Sequence, residues 1–499
     1  MQYRSTRNKA LALTSAEAIK KGLSEEGGLF VPDSIPKVDL DEIAGMKGMN
    51  YRERAQFVLS KYLTDFTADE LKYCVDNAYT KEKFETDNIA PVYKLDDKAY
   101  VLELWHGPTC AFKDMALQIL PYLLTTSMKK TNEDDEVVIL VATSGDTGKA
   151  ALEGFKDVPG TRIIVFYPNN GVSEIQKLQM VTQEGNNVNV CAVEGNFDDA
   201  QTGVKRIFTD DDYKDQLAKN RFKLSSANSI NWGRLVPQIV YYFSAYADML
   251  SAGEIALGEK INVVVPTGNF GNILASYYAY CMGLPVNKFI CASNKNNVLT
   301  DFIKTGKYNK NRDFHATISP SMDILISSNL ERFLYHLSGE NDALVAELMT
   351  KLNGDGEYQI SDELFGKMSA IFTAGCTDDD ETLAAIKKCD EEYGYVMDTH
   401  TAVAKSVYDA YVAETGDKIK TVIASTASPF KFNQSVLIAL GGSGAVAGKD
   451  EFTLLEELSE RSGMKIPASL ASLKTKHRLF DSVCEKGEMI NIVSDFLQI

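Results

Sequence analysis

Short apolar runs constrain what this 499-residue chain can fold into more than any other feature of it. They are Val137–Thr143, Arg162–Tyr167, Val188–Val193, Ile261–Val265, Lys288–Ala292 and Thr421–Ala424, and most are rich in Val and Ile. A strand with one wet face alternates polar and apolar residues. A continuous apolar run reads instead as a strand buried on both faces, as in a parallel sheet covered by helices. Helix-like stretches such as Asp198–Phe208 and Leu235–Ser251 separate several of the runs. The pattern predicts an α/β fold with open, mostly parallel sheets.

Two of these strands run directly into glycine-bearing turns and then into helices. Val137–Thr143 leads to Ser144-Gly-Asp-Thr-Gly148, and Ile261–Pro266 leads to Thr267-Gly-Asn-Phe-Gly-Asn272. Ligands of open α/β sheets sit beyond the carboxyl ends of the strands, where such turns lie. A helix N-terminus there offers unpaired N–H groups and a partial positive charge to a phosphate or carboxylate. Either loop alone is equally compatible with a tight connection that needs glycine only for its dihedrals.

The remainder divides less sharply. The first 95 residues read as a mainly helical domain, with helices over Ser15–Leu23, Asp41–Ala44, Tyr51–Tyr62 and Ala68–Ala78. Thr67 and Glu70 form a capping-box signal ahead of the last of these. We expect a smaller domain over 136–229 and a larger one built from 96–135 and 230–499. The polar span 309–394 is expected to be a helical insertion that elaborates the surface of the larger domain.

Composition excludes several function classes. The net charge of −17 and a pI near 4.9 argue against nucleic-acid binding, which needs a basic face. No apolar run approaches the ~18 residues of a membrane span, and Met1–Lys21 has no apolar core to read as a signal peptide. Eight scattered cysteines without a CxxC pair fit reduced, buried thiols of a cytoplasmic protein. Five histidines without HxxxH spacing offer no metal site. Nucleotide motifs also fail. Around Gly148-Lys149 the first P-loop glycine would fall on Thr143, and Ala150 stands where Ser or Thr is required. Leu437–Ala447 contains a GxGxxA, but it reads as a turn with no helix after it.

One segment carries more chemistry than the rest: Leu104-Trp-His-Gly-Pro-Thr-Cys-Ala-Phe-Lys113-Asp-Met-Ala. Lys113 stands in apolar and small surroundings, and a desolvated ammonium there would lose its proton readily and become a nucleophile toward a carbonyl. Alone, Lys113 fits an exposed lysine better. A reactive lysine, an Asn/Gly anion cradle and a second Ser/Thr/Gly loop together are what a pyridoxal phosphate site of the tryptophan-synthase-β type requires.

At this point the chain resembles the threonine synthase family, in its longer bacterial and fungal form. The resemblance rests on Tyr3–Arg7, Gly22–Pro32, His106–Asp114, Thr143–Gly148, Ser226–Asn231, Thr267–Asn272, Asp398–Val403 and Ala424–Pro429, in that order along essentially the whole chain. It implies a pyridoxal-phosphate fold of type II. It implies that Lys113 bonds the cofactor and is the catalytic base, and that Gly268, Asn269, Phe270, Gly271 and Asn272 cradle the cofactor phosphate. Thr426 would face the pyridine nitrogen, and Asp146 would lie near the 3′-oxygen. Thr143, Ser144, Asp146 and Thr147 would receive the substrate carboxylate. Asn228, Ser229, Asn231 and Arg234 would engage the substrate phosphate. Read without the resemblance, Arg234 is a helix-start arginine and Thr426 a buried threonine bonded to its own backbone.

The implied reaction converts O-phospho-L-homoserine and water to L-threonine and phosphate, in a monomer or homodimer without metal, nucleic acid or membrane partners. Three alternatives stay open. A phospho-lyase paralogue would release phosphate but yield a keto acid. A serine/threonine dehydratase or cysteine synthase of the same fold would not need Ser229, Asn231 and Arg234. A non-catalytic ligand-binding homologue could lose Lys113, Thr426 or the Gly268–Asn272 loop.

Overall fold

The computed structural model describes every residue except Ser144, Asn170 and Gly171. The apolar runs form two parallel sheets. The larger has six strands in the order Phe372–Cys376, Val286–Ser293, Ile261–Pro266, Thr421–Ser425, Ala99–Glu103 and Val92–Lys94. Only its last pair is antiparallel. The smaller has five parallel strands in the order Val483–Glu485, Val188–Glu194, Thr161–Pro168, Glu136–Ala142 and Phe222–Ser225. Because the strands are parallel, the turns after Ala142, Pro168 and Glu194 share one edge of the smaller sheet. Those after Pro266 and Ser425 share one edge of the larger.

The helix Trp232–Ser251 is apolar around nearly its whole circumference, so it lies buried within the larger domain rather than on its surface. The N-terminal helices Ser15–Lys21, Tyr51–Tyr62 and Ala68–Ala78 each begin at a capping box, including the Thr67–Glu70 pair. The helices Ser15–Lys21 and Tyr51–Tyr62 pack on the buried helix, and an aromatic cluster around Trp232 joins it to the N-terminal strand through Tyr3 and to Tyr51–Tyr62 through Tyr62. The Trp232 ring lies 5.4 Å from Tyr3, 5.5 Å from Tyr62 and 5.5 Å from Tyr278.

The N-terminal region is mainly helical, and Tyr3–Ser5, Asn8–Leu13 and Phe30–Pro32 add a small antiparallel sheet to it. Three expectations need correction. The 309–394 span does more than elaborate the surface, since Phe372–Cys376 forms an edge of the larger sheet. That strand reads Phe-Thr-Ala-Gly-Cys, too short and too poor in β-branched residues to stand out. The extreme C-terminus leaves the larger domain, with Val483–Glu485 closing an edge of the smaller sheet and Met489–Leu497 packing beside it. Finally, a helix does follow the GxGxxA, at Glu451–Ser462, but a helix (Asn433–Gly441) precedes it, so no strand-turn-helix unit exists there.

Among the described residues no helix is long and apolar enough to cross a membrane. Among them, too, no group of three or more His, Cys, Asp or Glu side chains is placed to hold a metal ion, and the eight cysteines are free thiols.

Candidate active site

Lys113 ends a loop that is stitched tightly to the end of strand Thr421–Ser425. The Phe112 N–H donates to the Thr426 carbonyl at 2.8 Å, and the Ser428 N–H donates to the Cys110 carbonyl at 3.0 Å. Inside the loop, buried Asp114 accepts from the Thr109 N–H and hydroxyl, both at 2.8 Å. Gly107 is required there, because a Cβ would lie 2.6 Å from the Asp114 side chain. Burial pushes the Asp114 carboxyl up to about 6. Thr426 is buried beside this loop, and its hydroxyl makes no hydrogen bond among the described residues, so the bond to its own backbone is absent.

The turn after strand Ile261–Pro266 forms an anion cradle. None of the backbone N–H groups of Gly268, Asn269, Phe270, Gly271 and Asn272 reaches an acceptor among the described residues. Five unpaired donors at a helix N-terminus make a binding site for an anion such as phosphate. Phe270 adopts the left-handed region, with φ of 62°, at a cost of about 1–2 kcal/mol for a residue with a Cβ. Its ring is held 5.7 Å from Phe333 and 6.0 Å from Phe372, and aromatic pairs of this kind return about 0.5–1.5 kcal/mol each. The 309–394 span therefore holds the cradle in shape. Asn272 turns inward, its Oδ1 accepting from Tyr241 at 2.8 Å and from Tyr242, while its Nδ2 is buried without a partner.

Ser321 joins the cradle to Lys113. A Cβ on Gly268 would lie 2.7 Å from the Ser321 carbonyl, so the two backbones are in contact. Lys113 Nζ donates to Ser321 Oγ at 3.3 Å, and that hydroxyl donates onward to Asp146 Oδ2 at 3.3 Å. The Ser321 N–H donates to His400 Nε2 at 3.1 Å, which leaves the imidazole proton on Nδ1, 2.9 Å from Asp398 Oδ1. Asp398 is in turn the N-cap of the helix Thr399–Thr415.

Asp146 opens the helix Asp146–Phe155 of the smaller domain and is buried. Its carboxylate lies 3.8 Å from Lys113 Nζ and 2.5 Å from Lys431 Nζ, and it accepts from Gln176 Nε2 at 3.0 Å. Burial opposes its charge, yet Lys431 and Lys113 hold the Asp146 carboxyl well below the usual carboxylate range. Burial also pushes the Lys113 amine down to about 8, against the attraction of Asp146 and with help from Lys431 and Arg234. Lys113 is thus a desolvated amine poised near neutrality, which suits it to attack a carbonyl and then to exchange protons.

The other expected residues are placed as follows. Thr143 Oγ1 accepts from the N–H groups of Gly145 at 3.0 Å and Gly148 at 2.9 Å, so its hydroxyl shapes the turn. Thr147 is half-buried on the next turn, and Ser144 lies outside the described residues. Asn228 is exposed and Ser229 half-buried in the turn that precedes the helix Trp232–Ser251. Arg234 is buried, donates to the Ala227 carbonyl and leaves its Nε without a partner. Burial lowers its guanidinium to about 10. Asn231 also has a structural role. Its Oδ1 caps the helix through the Gly233 N–H at 2.8 Å, and its Nδ2 donates to the Ile19 carbonyl at 3.0 Å.

The sequence reading assigned no role to Ser321, Gln176, His400 or Lys431. Asp398–Val403 and Ala424–Pro429 flagged two of the neighbourhoods, but Ser321 lies in a polar span without any motif. The residues present fit pyridoxal phosphate: a low-pKa buried amine, a free N–H cradle joined to it through Ser321, a buried carboxylate beside it, and a buried threonine on the segment bonded to the lysine loop. They would hold its aldehyde carbon, phosphate, 3′-oxygen and pyridine nitrogen, respectively.

Comparison with known proteins gives the same direction. Family models described as "Threonine synthase N terminus", "Pyridoxal-phosphate dependent enzyme" and "Threonine synthase, C-terminal" match residues 2–79, 86–426 and 401–486. A human protein named Threonine synthase-like 1 is 44% identical over 435 residues, which is 85% of this chain. The chain spans only 58% of that relative's length. Threonine synthase of Pseudomonas aeruginosa is 40% identical over 437 residues, covering 87% of this chain and 90% of the relative. The solved structure of pyridoxal-phosphate-bound threonine synthase from Brucella melitensis superposes with a TM-score of 0.88 at 36% identity, covering 100% of this chain and 99% of that one.

Proposed function

We propose that this chain, which belongs to the threonine synthase family of pyridoxal-phosphate-dependent enzymes, converts O-phospho-L-homoserine and water to L-threonine and phosphate. The observation that carries the proposal is a pair of unpartnered donor sets on either side of Lys113. The Gly268–Asn272 N–H groups, joined to Lys113 through Ser321, suit one anion, and the buried Arg234 Nε, whose charge acts on the Lys113 amine, suits another. A pyridoxal-phosphate enzyme acting on a phosphorylated amino acid needs both.

When bound, the cofactor supplies an electron sink for negative charge developing next to its imine carbon. The protein does the rest. Lys113 would hold the cofactor's aldehyde carbon, and its amine, when free, would take the α-proton, release it, and then take a β-proton. Its lowered pKa leaves about a tenth of the amine unprotonated near pH 7, against well under about 0.1% for an ordinary lysine. Arg234, with Asn228 and Ser229, orients the substrate phosphate so that the γ-carbon–oxygen bond lies where it can break. The Thr143–Thr147 turn, at the N-terminus of helix Asp146–Phe155, receives the substrate carboxylate. Asp146 would hold the proton at the 3′-oxygen, and Thr426 would present the pyridine nitrogen with a hydroxyl, which does not favour protonation as a carboxylate would. Phosphate leaves the γ-carbon and water adds its hydroxyl at the β-carbon; the protons taken from the α- and β-carbons return at the α- and γ-carbons, and the water's remaining proton leaves with the phosphate. We place the enzyme in the cytoplasm.

A comparison of substrates tests this reading. O-phospho-L-homoserine should be processed with a kcat/KM at least about 100-fold above L-serine and L-threonine, because the phosphate site is left unpaired by the latter two. Comparable rates on L-serine would instead support a dehydratase.

A further inference from the structure

Lys431 has no place in the mechanism above, yet it is a buried cation in direct contact with the site. Its side chain is 0% exposed. Its Nζ lies 2.5 Å from Asp146 Oδ1 and donates to the Thr109 carbonyl at 3.0 Å. Thr109 belongs to the Lys113 loop, and Asp146 belongs to the smaller domain. Lys431 therefore links the lysine loop to the carboxylate that approaches the cofactor from the other domain.

Resting on the functional reading given above, we infer that Lys431 is a positioning residue that keeps Asp146 ionised opposite the cofactor's 3′-oxygen. Two cations contact Asp146 among the described residues, Lys113 at 3.8 Å and Lys431 at 2.5 Å. Lys113 cannot serve this purpose through the reaction, because its nitrogen is used in bonding the cofactor and in carrying protons. Lys431 is free of that duty, and its position is set by backbone. The segment Pro429–Phe432 is a short 3-10 turn held by the Ser428 hydroxyl and by the Ser428–Cys110 backbone bond. The remaining groups do not replace it. Gln176 and Ser321 offer Asp146 neutral donors, and Arg234 acts on Lys113. Asp114 and Cys110 feel the Lys431 charge from the loop side, and His400 reaches the site only through the Ser321 N–H. A buried carboxylate stripped of its cation regains its proton at a much higher pH.

The test is a pH titration of the bound cofactor's visible absorption in wild-type protein, Lys431→Met, Lys431→Arg and the double variant Lys431→Met/Asp146→Asn. Lys431→Met should show an additional transition, with a midpoint between about pH 5 and 9, as desolvated Asp146 titrates. Wild type and Lys431→Arg should lack that transition, and the double variant should lose it. A structural clamp alone would lower stability without adding an ionisation. A Lys431→Met titration superimposable on wild type overturns the proposal, as does a transition that persists in the double variant. Should Lys431→Met fail to fold, the double variant, which buries no unpaired charge, must recover soluble protein; failure to do so also overturns it. Wild-type protein that takes up no cofactor and shows no visible band would remove the functional reading itself.

Discussion

Asn231 donates its side-chain amide to the carbonyl of Ile19 at 3.0 Å while its Oδ1 caps the helix that carries Arg234. One side chain thus ties the N-terminal region to the start of the proposed phosphate site. Arg332 reinforces the tie, donating to the Phe30 carbonyl at 2.9 Å and to the Ile230 carbonyl at 2.6 Å. Asn231→Ala removes the cap and should cost about 1–2 kcal/mol of stability, read by denaturant unfolding. It should also raise KM for the phosphorylated substrate, because Arg234 begins the next turn. An unchanged unfolding midpoint would mean the cap is not formed.

Lys113 gives a pH dependence with a definite sign. Its folded-state pKa of about 8 lies below the ordinary lysine value, so the charged amine costs stability. That cost is fully present below about pH 8 and is relieved as pH rises through the unfolded value. The neutral amine grows over the same range. Uptake of pyridoxal phosphate by cofactor-free protein, followed by absorbance, should accelerate with a midpoint near pH 8. Lys113→Ala should abolish covalent attachment and lower kcat by about 10³ or more.

Arg234→Leu separates the two anion sites. A charge-assisted hydrogen bond contributes about 1.5–3 kcal/mol, so KM for the phosphorylated substrate should rise by roughly 10- to 150-fold. The cofactor's colour should be retained, because its phosphate belongs to the Gly268–Asn272 cradle. Loss of colour in this variant would assign Arg234 to the cofactor instead.

Gly268→Ala makes the opposite separation. The new Cβ would sit 2.7 Å from the Ser321 carbonyl, so either the cradle or the Ser321 turn must move. We expect cofactor affinity, measured by equilibrium titration of the cofactor-free protein, to fall at least about 10-fold, since a displacement of this size misaligns several N–H donors at once.

What the sequence made legible follows from how locally each feature is encoded. The strand Ile261–Pro266 and its glycine turn announce themselves because burial on both faces and a tight turn leave marks on consecutive residues. The helix Ala68–Ala78 is marked by its own cap. Lys113 was visible only in company, through motifs spread over the chain. Lys431 was not visible, because Pro-Phe-Lys-Phe reads as an ordinary surface lysine until Asp146 arrives from the other domain. Ser321 and strand Phe372–Cys376 were hidden for the same reason: their burial is decided by distant partners and not by their neighbours in sequence. The net charge of −17 belongs to the surface, while the anion-binding groups are local.

The most direct measurement supplies purified holoenzyme with O-phospho-L-homoserine and quantifies inorganic phosphate, L-threonine and keto acid in the same reaction. One threonine for each phosphate released, with no keto acid, is the expected result. Phosphate release accompanied by keto acid and no threonine would contradict it and identify a phospho-lyase.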